Sequence, residues 1–492
     1  MAEKEEPSLK LKTARTIKWN TFDRLGTQVL YAVVGVVLAN LLSKEDFGLV
    51  GALVVFQAFG NLFVDSGFGS ALLQRKDPDE RDFSTVFWFN LMVACAIYVI
   101  LFFCAPLIAD IFQGDTRLIP LSRVMFLTFI LNALSMVQVT RLMKRMNVKM
   151  VAMANMVALA ISGTLGMVLA FNDFGPWALV WQAVTLSAVK SAWLWATGHW
   201  HPRCGFHFPV LKKFWKVGTS VFSASALDML ALHAYSFVIG AFYNLASLGV
   251  YTQADKWSKM GTASLAQVFT ASFVPLLSRV QDDPDNFRRY MARLNRFAAF
   301  ILFPAMIGLA SIGAPLFHAF FGTKWDAAIP LFQILALRGI LVVLVSLCYN
   351  YLLALGRSRR MIVVEIVKDG LVFVAILCTV WFRSVELLVW GQFAASLVVV
   401  AVVMTIMTRA TGYSLRQMLR DMFPFLIAGT LCGGAALMTA QLLANPWLQL
   451  VAMIPAGIAV YLICMRAINA PELKESAAYI FGRFRKNINN QN

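Results

Sequence analysis

The sequence predicts an all-α polytopic membrane protein with about fourteen transmembrane helices: two six-helix bundles related by a parallel repeat, plus two C-terminal helices. Three observations carry this expectation. Apolar runs of roughly 20 residues recur from end to end, each long enough to cross about 30 Å of hydrocarbon. Charge is sparse: 14% of the 492 residues are charged and 59% are hydrophobic, whereas a soluble domain carries about a quarter charged residues. Finally, segments of the first half return in the second half at a nearly constant offset.

Read against their charged breaks, the spans fall in pairs. The first pair, 18–42 and 47–73, runs into Arg75, Lys76 and Arg81, and the second, 83–111 and 119–141, into Arg141, Lys144, Arg145 and Lys149. Spans 149–171 and 175–198 precede Lys212, Lys213 and Lys216, and spans 214–242 and 246–277 precede Arg279, Arg288 and Arg289. Spans 290–317 and 326–354 lead to Arg357, Arg359 and Arg360, and spans 361–382 and 386–408 to Arg416 and Arg420. The last pair, 422–443 and 447–466, ends before Arg483, Arg485 and Lys486. Helices are required, because lipid offers no partner to an unpaired backbone group. The intervening connections hold little beyond Lys44, Arg117, Lys324 and Arg383. Basic residues are retained on the cytoplasmic side, so both termini are expected there. The same bias explains the net charge of +17 without invoking nucleic acid.

The repeat is read from four echoes. "ALLQRKDPDERDF" from Ala71 resembles "PLLSRVQDDPDNF" from Pro275, and "APLIADIFQGD" from Ala105 resembles "APLFHAFFGTK" from Ala314. "IPL" at Ile119 recurs at Ile329, and "LVWQ" at Leu179 resembles "LVWGQ" at Leu388. The expected divisions are therefore 1–205, 206–412 and 413–492. Six spans per half is an even number, so both halves insert with the same orientation.

Several other signals carry no chemistry. The seven cysteines are scattered, mostly within apolar runs and without a CxxC pair, so they read as small buried apolar residues. "DSGFG" has a Gly-x-Gly but no following Lys-Ser/Thr, which excludes a phosphate loop. "DDPD" at Asp282 looks like an acidic glycosyltransferase motif, but its counterpart "DPDE" makes it a repeated connector. "HWHPRCGFH", with His199, His201, Cys204 and His207, lacks the spacing of a zinc site. No metal or cofactor is expected.

One further feature is the long N-terminal run "KWNTFDRLGTQVLYAVVGVVLANLLSKEDFGLVGALVVFQAFGNLFVDSGFGSALLQRKD". Its marks are Lys18-Trp19, Asp46-Phe47-Gly48-Leu49, and Asp65-x-Gly67-x-Gly69 leading to Gln74-Arg75-Lys76; "FGTKWDAAIPLFQILALRG" from Phe321 also fits. The chain resembles Wzx-type polysaccharide (lipid-linked oligosaccharide) flippases of the multidrug/oligosaccharidyl-lipid/polysaccharide superfamily, in their colanic-acid-exporter-like branch. The resemblance implies a multi-pass protein of the bacterial inner membrane that is not an enzyme. It implies transfer of an undecaprenyl-pyrophosphate-linked glycan from the cytoplasmic to the periplasmic leaflet, by alternating access. Coupling to a proton or sodium gradient, and partners in glycan polymerisation and export, are implied as well. The alternatives are a multidrug extruder of the same superfamily and, further off, a membrane glycan polymerase or ligase.

Ionisable residues inside spans are costly and so are functional candidates. Arg24, Lys190, Lys256, Lys259, Arg338 and Lys368 are read as a cationic cavity wall for the anionic lipid head. Asp23, Asp65, Asp228, Asp255, Glu365 and Asp369 are read as ion-coupling groups or charge partners. Each has a structural alternative. Asp23, Arg24 and Lys190 could sit near an interface and snorkel. Asp255 and Lys259 are four apart and could pair with each other. Lys368 could neutralise both Glu365 and Asp369, and Asp228 could partner one of the lysines. Asp65 is read as a structural or gating residue, paired with a neighbouring cation. Arg338 stands alone in "IPLFQILALRGILVVLVSL", and its planar fork matches phosphate oxygens.

Overall fold

A computed structural model describes residues 9–65, 67–198, 200–203 and 205–475. Among these residues the secondary structure is helical, with turns and no strand. The chain divides into two compact units, the first ending at Thr252 and the second beginning at Gln253.

The first unit is built from α1 (Leu9–Leu41), α2 (Lys44–Asp65), α3 (Phe68–Gln74), α4 (Glu80–Phe103), α5 (Ala105–Ile111), α6 (Leu118–Met125), α7 (Leu127–Lys144), α8 (Val148–Phe171), α9 (Pro176–Gly198) and α10 (Phe208–Phe242), and ends in the opening turns of α11 (Leu245–Leu277). The second takes the rest of α11, then α12 (Pro284–Ser311), α13 (Gly313–Phe321), α14 (Ala328–Ala354), α15 (Ser358–Thr379), α16 (Val385–Thr411), α17 (Leu415–Gln441) and α18 (Pro446–Ala467). A helix lies at each of the fourteen expected spans. Eleven stretches of the described helices are long and apolar enough to cross a membrane. Of the other three spans, α1 contributes a shorter apolar stretch, Gly26–Leu41, α9 contains Lys190, and α15 holds the Glu365, Lys368 and Asp369 group.

Four spans expected as single runs are broken. The second stops at Asp65 and resumes as α3, with Gly67 at φ 70° as the N-cap. That left-handed conformation suits glycine, and a Cβ at Gly67 would also lie 2.5 Å from the Gly218 carbonyl oxygen. Spans three and nine break before Pro106 and Pro315, in the repeated Ala-Pro-Leu. Proline lacks an N–H and tolerates only the opening turn of a helix. Span four breaks at Phe126, where no proline or glycine marks the site.

In the first unit α8 packs on α1 and α9, α7 on α4 and α9, and α10 on α2, α3 and α4. This last contact explains why the compact units part inside α11, whereas the repeat pattern places a division at residue 205. Two helices meet backbone to backbone here. A Cβ at Gly48 would overlap the Leu245 carbonyl oxygen, and one at Gly249 would overlap that of Lys44. In the second unit α17 packs on α12 and α18, and α16 on α14 and α15. Its core runs through Phe273, Leu302, Met306, Tyr351, Val403 and Phe425.

The segments that echo in sequence share local structure. Asp79 caps α4 by accepting from the Asp82 N–H at 2.8 Å, and Asp283 caps α12 by accepting from the Asn286 N–H at 3.0 Å. Each long helix is followed by a short one, α5 or α13. The connection before α4 is also tied down by charge: Arg75 pairs with Asp82 at 2.8 Å, and Trp200 donates to Glu80 at 2.6 Å.

The Asp82 N–H donated to Asp79 holds its carboxyl below the ordinary 3.8. Asp79→Ala is expected to cost about 1 kcal/mol, as for other N-caps, read as a lower Tm of the purified protein. Because the folded value is depressed, this contribution is complete above the ordinary carboxyl pKa. It disappears as pH falls through the lower folded value, so the Tm gap should close in acid.

Candidate functional site

The in-span charges separate into those with partners inside their own unit and those without. In the first unit Asp23 on α1 accepts a hydrogen bond from Asn155 on α8 at 3.3 Å, and Lys190 on α9 is its electrostatic neighbour. Its other oxygen, Oδ1, is buried with no hydrogen-bond partner among the described residues. Arg24 is exposed. Asp228 on α10 is also exposed.

The Asp65 carboxylate accepts from the Gly69 N–H, in the first turn of α3. A helix start offers unpaired N–H groups, and a carboxylate there satisfies one of them.

In the second unit Lys259 and Asp255 pair at 2.7 Å along α11. Lys368 pairs with Glu365 and stands 3.7 Å from Asp369, so the three form a local triad on α15. Lys256 differs. Among the described residues no carboxylate pairs with it, and its Nζ lies 5.3 Å from the centroid of the Trp257 ring. Arg338 likewise has no carboxylate partner among the described residues. Its Nε donates to Ser396 Oγ at 2.9 Å, and that hydroxyl donates to the Gln392 carbonyl at 2.9 Å. This chain fixes the guanidinium plane and leaves both terminal nitrogens without a protein partner among the described residues.

Lys256 and Arg338 lie on helices that touch, α11 and α14. A Cβ at Gly339, next to Arg338, would overlap Thr262 Oγ1 of α11, and Asn350 donates to Thr270 at 2.8 Å further along the same pair. Lys259 and Lys256 precede Thr262 by three and six residues, or about 4.5 and 9 Å of helix rise. A half-buried cation in an apolar helix with no internal counter-ion is costly unless a ligand or water meets it. Arg338 reaches α16 through Ser396, and Lys256, six residues before Thr262, leaves α11 on a different face, since six residues make about 600° of turn. The fork and the ammonium are two separate groups.

Sequence reasoning missed the neutral polar groups. Gln57 on α2 donates to Thr128 on α7 at 2.9 Å, and one turn on Asn132 donates to Asn61 at 3.0 Å. The signal was present as amides four residues apart inside apolar helices. Among the described residues the six cysteines are free. Cys204 and His199 lie outside the described residues, as does the basic group at Arg483, Arg485 and Lys486.

The fold is that of a polytopic, helical membrane protein, and it carries half-buried cations within its helices. Residues 37–330 match the family described as "Polysaccharide biosynthesis protein", and the chain belongs to that family. It is 26% identical to the teichuronic acid biosynthesis protein TuaB of Bacillus subtilis (strain 168), covering 72% of this chain and 73% of that one. It is 24% identical to the lipopolysaccharide biosynthesis protein WzxC of Escherichia coli (strain K12), covering 68% of each. Among solved structures, the lipid II flippase MurJ in an inward closed conformation superposes with a TM-score of 0.74 over 92% of this chain and 98% of that one, at 14% identity. That likeness is one of fold.

Proposed function

We propose that this protein moves an undecaprenyl-pyrophosphate-linked oligosaccharide from the cytoplasmic to the periplasmic leaflet of a bacterial inner membrane, for surface polysaccharide assembly. The observation that carries the reading is that Lys256 and Arg338, in a member of a polysaccharide biosynthesis family, have no carboxylate partner among the described residues. A guanidinium fork and an ammonium suit a pyrophosphate, while the prenyl chain stays in lipid. The named activities of the relatives, biosynthesis of teichuronic acid and lipopolysaccharide, support a glycan substrate.

In this reading the repeat halves, 1–205 and 206–412, rock to expose the site alternately on each side, and 413–492 adds two further spans. The alternation of basic connections supports cytoplasmic termini. Lys259 and Lys368 serve mainly to neutralise their own carboxylates. Asp23, with a bare buried oxygen and Lys190 nearby, is the group best placed to couple transport to a proton or sodium ion. Asp228 is a weaker candidate. Glycan polymerases and export proteins would take the product.

Depletion of the protein in its own cell tests this. The lipid-linked oligosaccharide should still be made but remain inaccessible to a membrane-impermeant glycosidase added from the periplasmic side. Surface glycan unchanged on depletion would refute the proposal.

A further inference from the structure

We infer that the amide row of the first unit is a recognition site for the sugar portion of the cargo, separate from the cations that suit its phosphates. The inference rests on the transport reading for the identity of the cargo, and on its own geometry for the site.

The row occupies one face of α2 and the facing side of α7. Gln57 bonds Thr128 and Asn61 bonds Asn132, each four residues beyond the last on both helices. One turn further along α7, Asn90 of α4 donates to Met136 Sδ at 2.9 Å. Asn90 is fully buried, and its Oδ1 has no partner among the described residues. Thr128 is also fully buried, whereas Gln57, Asn61 and Asn132 are only half-buried.

Polar side chains between membrane helices commonly act as glue. Glue accounts for the two bonds but not for the capacity left over. A primary amide has two donors and two acceptor lone pairs. After its one bond, Gln57 keeps Oε1 and an N–H, Asn61 keeps its NH2, and Asn132 keeps its carbonyl oxygen. These groups are partly exposed within helices apolar enough to span a membrane. Facing hydrocarbon, each would go unsatisfied at considerable cost. They therefore line a space that holds water or a polar ligand.

The chemistry of the row selects the ligand. Gln57, Asn61, Thr128 and Asn132 carry no formal charge, so nothing there favours a phosphate or a cationic drug. Mixed donors and acceptors at one-turn spacing match hydroxyl groups, which likewise donate and accept. An uncharged, hydroxyl-rich oligosaccharide is the fitting class.

The test uses the full-length protein in lipid nanodiscs. The probe is the oligosaccharide released by mild acid from the lipid-linked precursors of the source cell, which carries neither prenyl chain nor pyrophosphate. Wild type should bind it, and Gln57→Leu with Asn61→Leu should weaken binding about tenfold or more. Asn350→Leu deletes a similar interhelical amide–hydroxyl bond elsewhere and should leave binding unchanged. No binding by wild type, or equal binding by wild type and the double variant, would overturn the inference. So would an equal loss in Asn350→Leu, which would assign the effect to helix packing. The assay involves no transport, so its outcome is independent of the depletion experiment.

Discussion

Arg338→Ala should reduce glycan export by about ten- to a hundredfold at unchanged protein level, the range of a lost hydrogen bond to a charged group. The guanidinium is held at one corner by Ser396, so its two terminal nitrogens present a fixed fork. Arg338→Lys keeps the charge without the fork and should fall between, since an ammonium meets phosphate as a point charge. Ser396→Ala should loosen the fork's orientation and have a smaller effect than loss of the charge. Surface glycan per cell, normalised to protein in the membrane, is the measurement. Export by Arg338→Ala equal to wild type would remove Arg338 from the substrate path.

Gly48→Ala and Gly249→Ala should each cost about 3 kcal/mol or more, at the severe end for overpacking. A methyl group at either position meets a carbonyl oxygen of the opposing backbone, and backbone cannot turn aside as a side chain can. The expected result is loss of monodisperse protein on extraction and a sharply lowered Tm. Gly308→Ala is the control, because nothing lies within 4 Å of a Cβ there. In the interior of α12 that change should be neutral or slightly stabilising. Normal yield and Tm for Gly48→Ala would show that α2 and α11 need not approach so closely.

These two positions mark what could be read from the sequence. Hydropathy located the helices, eleven stretches of which are long and apolar enough to cross a membrane, because length and apolarity are local properties that any helix in lipid must satisfy. Arg338 could be singled out for the same reason: one charge in a long apolar run stands out. Pairs along a single helix, Asp255 with Lys259 and Glu365 with Lys368, were legible because residues three or four apart share a helix face, and Asp369 adjoins Lys368 in the chain. Contacts between helices were not legible. Nothing in the run around Asp23 names Asn155, and nothing around Arg338 names Ser396. Nor was the Gly69 N–H legible as a partner of Asp65: every residue but proline carries an N–H, and the break that brings Gly69 round depends on Gly67 turning left-handed.

The two caps, Asp79 and Asp283, show what a connector of this kind requires. In the first the proline stands before the cap, as Pro78; in the second it stands after, as Pro284. The residue order differs, and so does the spacing from the basic cluster, yet each connector places an acceptor at the point where a long helix begins. What such a connector demands is a place and a donor–acceptor geometry, and more than one order of letters supplies both.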